Sequence, residues 1–90
     1  MILGQNTVNN MDNLIPLIKE KIKEVAFKKV NEEDELFESG VLTSILIVEL
    51  ATALEDELGI SIPFTEVTTE NFRTVLTIQH FLIAKKNNAA

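Results

Sequence analysis

The sequence predicts an all-α fold, a small four-helix bundle of three longer helices and one short one, with a long first loop. Three observations predict it. Apolar residues recur at helical spacing in three stretches, Ile15 to Ala26, Ile47 to Leu58 and Val75 to Leu82. Each stretch has a start or stop residue beside it, and the apolar residues of ISIPF are too few and too isolated to build a sheet. Ninety residues with 46% hydrophobic content suffice for one compact domain with a small core.

The elements follow in order. Residues 1–11 are polar and without period, a flexible leader ahead of a domain expected over 12–86, with a frayed tail at 87–90. Asp12 or Asn13 can cap the first helix, Pro16 is tolerated in its first turn, and Ile15, Ile18, Ile22, Val25 and Ala26 form its inner stripe. That helix is expected to run to about Lys29. The acidic stretch NEEDELFESGVL then reads as a loop, with Leu36 and Phe37 turned inward and Gly40 at a sharp turn. Thr43 caps a second helix, SILIVELATALEDEL, and Gly59 ends it. Ile60, Ile62 and Phe64 are expected as loop anchors, Pro63 stops any helix there, and TEVTTENF can hold one short helical turn. Thr74 caps the last helix, with Val75, Ile78, Phe81 and Leu82 inward and Lys85 and Lys86 near its negative end.

Composition removes several function classes. Cysteine is absent and His80 is the single histidine, so neither a disulfide framework nor a thiolate or histidine metal site can form. The acidic loop NEEDE lacks the alternating ligands and central glycine of a calcium-binding EF-hand loop. No apolar run approaches a membrane span, and the expectation is a soluble, cytoplasmic monomer. The net charge of −6 is unevenly spread, with no Lys or Arg between Asn31 and Phe72. Such a face repels nucleic acid and attracts basic protein partners.

The second helix carries the functional hint. At about 100° per residue, Ile47, Leu50, Ala51, Leu54 and Leu58 converge on one face as the core stripe. Ser44, Ile45, Val48, Thr52 and Glu55 share another, so an apolar spot is exposed beside a serine at the start of an acidic helix. Ser44 has no histidine near it in sequence and no motif that would activate its hydroxyl, which argues against catalysis by the chain itself.

The stretch LFESGVLTSILIVELATALEDELGISIP resembles the acyl carrier protein superfamily. The resemblance rests on Gly40, on Thr43-Ser44-Ile45 opening a helix where an Asp-Ser-Leu-like tripeptide stands in the family, on Val48-Glu49-Leu50, on the acidic helix end from Leu54 to Leu58, and on Ile62-Pro63. It covers roughly Asp12 to Lys86, and ENFRTVLTIQHFL suits the family's short third and its fourth helix. The run Gly40-Val41-Leu42-Thr43-Ser44 has one residue more than typical fatty-acid carriers and looks like the stand-alone D-alanyl and peptidyl-type carriers. Two positions depart from the pattern: Thr43 replaces the usual Asp, and Leu46 stands where many fatty-acid carriers are acidic.

The resemblance implies a specialised carrier, not an enzyme, that holds acyl or aminoacyl intermediates as thioesters on a 4'-phosphopantetheine arm attached to Ser44. It implies as partners a phosphopantetheinyl transferase, an acyl- or aminoacyl-loading ligase and downstream acyl-processing enzymes. Partner docking is expected at Ile45, Leu46, Val48, Glu49, Thr52, Glu55 and Asp56, an apolar centre with an acidic rim. The residues leave a second reading open, an unmodified carrier-like interaction module docking through its acidic second helix. Thr43 in place of Asp is the feature that supports it.

Overall fold

A computed structural model describes residues 13–88 of the chain. The expected leader at 1–11 and the capping candidate Asp12 lie outside those residues, as do the last two of the tail. Three α-helices follow one another, α1 (Ile15–Ala26), α2 (Ser44–Leu58) and α3 (Val75–Asn88), with a single three-ten turn at Phe64–Glu66 between the last two. No strand occurs among the described residues.

The first helix packs against both others and forms the middle of the bundle. Its Ile18 and Ile22, one turn apart, are wholly buried, and they meet Leu50 and Leu54 of α2 and Ile78 and Leu82 of α3 in one continuous core. Burying side chains of this size contributes about 1.5–3 kcal/mol each. No buried polar or charged residue interrupts this core among the described residues. The start of α1 is held from the far end of the chain, because Gln79 Oε1 accepts the Leu14 N–H at 2.6 Å. Leu14 is the capping residue by backbone geometry, while the Asn13 carboxamide accepts the Ile15 N–H at 3.3 Å and Pro16 sits in the first turn as expected.

The end of α1 differs from expectation. The helix stops at Ala26, three residues before Lys29, because Phe27 takes the left-handed conformation (φ 58°, ψ 37°) that a glycine usually supplies at this place. Local sequence favours continuation through Lys28 and Lys29, which are good helix formers. The long loop instead turns back at once towards Leu36, which is wholly buried.

That loop is fastened by backbone bonds to the segment ahead of α3. The Leu36 N–H donates to the Arg73 carbonyl at 2.9 Å, the Leu76 N–H to the Glu32 carbonyl at 3.3 Å, and the Leu42 N–H to the Leu36 carbonyl at 2.9 Å. Arg73 adds a two-pronged contact to Glu35, with Nε and Nη2 each 2.9 Å from a carboxylate oxygen. This guanidinium holds the Glu35 carboxyl below its ordinary pKa. Leu36 and Phe37 both pack inward as expected, and Gly40 has the positive φ of 84° that its turn requires.

Two further differences concern the chain after α2. The expected helical turn is only the three residues Phe64–Glu66, following the extended Pro63, ending at Val67 and succeeded by a hydrogen-bonded turn from Thr68 to Phe72. Phe64, expected as an anchor, points to solvent with 77% of its surface exposed, whereas Ile60 and Ile62 do pack on the core. Thr74 caps α3 through its hydroxyl, which accepts the Thr77 N–H at 3.0 Å, and α3 continues two residues beyond Lys86.

Candidate functional site

The site is built at the start of α2. Thr43 is extended (φ −121°, ψ 178°) and its Oγ1 accepts the Leu46 N–H at 3.2 Å, while its carbonyl accepts the Ile47 N–H at 3.0 Å. Ser44 is therefore the first helical residue, and its side chain is exposed. The N–H groups of Ser44 and Ile45 have no acceptor among the described residues, as the geometry of a helix start dictates. No acidic residue lies in the first turn of α2, so the positive end of its dipole is not neutralised by the chain itself. An exposed hydroxyl beside two unpaired N–H groups at such an end fits a covalently attached phosphodiester. Thr43 and Leu46, the two departures from the family pattern, thus keep negative charge away from the place where an anion would sit.

Around Ser44 the expected docking residues separate into groups. Ile45 is 69% exposed and Val48 is 41% exposed, an apolar spot on the outer side of the helix. Glu49 and Asp56 are exposed, with no ion-pair partner among the described residues. Thr52 is also exposed, and its hydroxyl donates to the Val48 carbonyl at 3.0 Å. Leu46 is half-buried and packs against the core.

Glu55 is engaged within the molecule. Its Oε2 accepts the Ile62 N–H at 2.6 Å and its carbonyl accepts the N–H groups of Gly59 and Ile60 at 2.8 and 3.3 Å. This one residue shapes the turn after α2, where Gly59 is left-handed at φ 66°.

The C-terminal end of α2 would be strained electrostatically by Glu55, Asp56 and Glu57 beside its negative dipole end. Neighbouring helices relieve it. Lys21 of α1 lies 3.2 Å from Glu57, which is the main cause of its raised pKa, and Lys86 of α3 donates to the Leu58 carbonyl at 3.3 Å.

Comparison with known proteins shows the family of the chain. The family model described as "Phosphopantetheine attachment site" matches residues 15–81, a span that includes all three helix starts and Ser44. The chain belongs to this family of carrier proteins. It is also similar to a D-alanyl carrier protein of Bacillus velezensis, 36% identical over 61 residues that cover 68% of this chain and 77% of the relative. The covalent cofactor of such a carrier is 4'-phosphopantetheine, and the carrier is not itself an enzyme.

For this carrier protein, the expectation taken from LFESGVLTSILIVELATALEDELGISIP is met at the level of the superfamily and the cofactor. Among the described residues no cluster of three or more metal-ligating side chains occurs, and no helix is long and apolar enough to cross a membrane. Sequence reasoning missed the part that Glu55 and Gln79 play. Each accepts a backbone N–H that no local pattern points to, seven residues away for Glu55 and 65 away for Gln79.

Proposed function

We propose that Ser44 carries the 4'-phosphopantetheine arm and that the chain is a specialised carrier presenting acyl or aminoacyl groups to partner enzymes. The observation that carries the reading is the exposed Ser44 hydroxyl at the uncompensated positive end of α2, inside the matched family span. Attachment replaces the hydroxyl proton with a phosphodiester bond. The proton passes to a base of the phosphopantetheinyl transferase, and the adenosine bisphosphate part of coenzyme A leaves. When bound, the arm supplies a terminal thiol that takes cargo as a thioester, which a chain without cysteine cannot do by itself.

The chain's own residues do the rest. Thr43 fixes the helix start, so Ser44 stands on a rigid base, and the N–H groups of Ser44 and Ile45 favour the phosphodiester charge. Ile45 and Val48 give an apolar centre, and Glu49 and Asp56 a charged rim, for brief contact with basic surfaces of a loading ligase and of acyl-processing enzymes. Leu46, Thr52 and Glu55 belong to the same docking face, Leu46 half-buried at its edge against the core. The resemblance to a D-alanyl carrier supports an aminoacyl cargo over bulk fatty-acid synthesis.

The test is intact mass after incubation with coenzyme A and a broad-specificity phosphopantetheinyl transferase. Wild type is expected to gain one phosphopantetheine and Ser44→Ala none. Gain in both proteins would move the attachment site elsewhere, and gain in neither would leave the chain as an unmodified interaction module.

A further inference from the structure

Phe27 bears two costs at once. It sits in the left-handed region at φ 58°, where a bulky side chain is rarely found, and 85% of its surface faces solvent. Its N–H donates to the Lys23 carbonyl at 2.9 Å, which fixes its backbone at the end of α1. A backbone outlier that also exposes a large apolar ring points to a role outside the fold.

The surroundings of the ring are cationic. Lys23, Lys28 and Lys29 are all exposed and have no carboxylate within ion-pair distance among the described residues, in contrast to Lys19 and Lys21, which pair with Glu32 at 4.0 Å and Glu57 at 3.2 Å. Residues 19–29 hold five of the chain's eight Lys and Arg residues, against two glutamates. The acidic stretch Asn31 to Phe72, which includes the docking helix, follows them in the chain. An open groove of about 790 Å³ lies beside this corner, lined by Lys19, Lys23, Lys29 and Val30 together with Glu20 and Glu24, and Phe27 does not line it.

We propose that the corner formed by Phe27, Lys23, Lys28 and Lys29 is a peripheral docking site for an anionic phospholipid surface. Charge complementarity selects an anionic partner, and the shape selects a bilayer. An acidic peptide laid in the groove would leave the Phe27 ring uncovered, since the ring does not line it. A bilayer surface receives the single exposed ring at the headgroup level without a shaped pocket, and is held by the three unpaired lysines. The contact is weak, reversible and salt-sensitive, as suits one aromatic residue and three charges. It does not depend on modification of Ser44.

The test is co-sedimentation of the full chain with vesicles of phosphatidylglycerol and phosphatidylcholine in equal parts, at low salt. Wild type is expected to bind these vesicles, not to bind phosphatidylcholine alone, and to be released at about 1 M salt. Phe27→Gly removes the ring and the left-handed strain together, so it is expected to melt higher than wild type while binding about tenfold more weakly. The double variant Lys28→Glu with Lys29→Glu is expected to lose binding. No binding by wild type, or equal binding by Phe27→Gly, would overturn the proposal. So would retention on poly-glutamate without vesicle binding, which would assign the corner to an acidic protein.

Discussion

The Glu55 carboxylate accepts the backbone N–H of Ile62 at 2.6 Å, so one side chain on the acidic face of α2 also holds the turn that returns the chain to the core. Glu55→Ala leaves that half-buried N–H unpaired, and a loss of about 1–3 kcal/mol is expected, read by urea unfolding. Glu55→Gln keeps an acceptor oxygen and is expected to recover most of it. If both variants unfold like wild type, the bond contributes nothing to the turn.

Thr43→Ala removes the oxygen that accepts the Leu46 N–H at 3.2 Å. A loss of about 1 kcal/mol is expected from the missing cap, seen as a lower Tm, and Thr43→Asp is expected to restore it. Comparing transferase rates of the two variants then separates the cap from the added charge.

The Arg73 guanidinium lowers the Glu35 pKa chiefly through its hydrogen bonds, with its charge adding in the same direction. A carboxyl whose folded pKa is depressed contributes stability above its unfolded pKa, near the ordinary 4.5, and loses it as pH falls through the lower folded value. Arg73→Ala is therefore expected to return the Glu35 carboxyl towards 4.5 in an NMR titration and to remove its share of the acid-side slope in stability. An unchanged Glu35 titration would show that the pair does not persist in solution.

Ile45→Asp places a charge in the centre of the proposed docking spot without touching the core, since Ile45 is 69% exposed. Unfolding free energy is expected to move by no more than about 0.5 kcal/mol. The rates of arm attachment and cargo loading are expected to fall by about tenfold or more, equivalent to about 1.4 kcal/mol. Unchanged rates with both enzymes would remove Ile45 from the interface.

Phe27→Gly, examined for stability alone, is expected to gain about 1 kcal/mol, because glycine adopts φ 58° without the steric conflict of a side chain. Thermal melting followed by circular dichroism reads this directly, and a lower Tm would show that the ring stabilises the fold after all.

Much of the fold was legible because its signals are local. Thr43 and Gly59 bracket α2, and both act as their residue types dictate, one through a hydroxyl and one through a positive φ. The core stripe Ile47, Leu50, Ala51, Leu54 and Leu58 follows from spacing alone; the first four are buried and Leu58 is half-buried against the core. Where the reading failed, distant contacts override local preference. The end of α1 at Ala26 is set by a loop that must reach Leu36 and Arg73, against the helix preference of Lys28 and Lys29. Phe64 reads as an anchor by composition, yet the short three-ten turn that begins with it turns the ring outward. The superfamily and cofactor were legible because the motif from Gly40 to Pro63 is contiguous. The internal bond of Glu55 was not, since nothing in an acidic helix end shows which carboxylate will turn inward to a backbone N–H.

The backbone bonds from Leu36 to Arg73 and from Leu76 to Glu32 join the first loop to the segment ahead of α3 and to its start. The first loop, which leads into α2, is closed by residues 37 and 44 positions further along the chain from Leu36 and Glu32, so a nascent chain that ends before Arg73 lacks the partners that fix it. The proposed attachment site at Ser44 is therefore expected to be complete only once α3 has docked. On the proposed reading, a transferase that recognises the finished site would act only on chains that have completed folding.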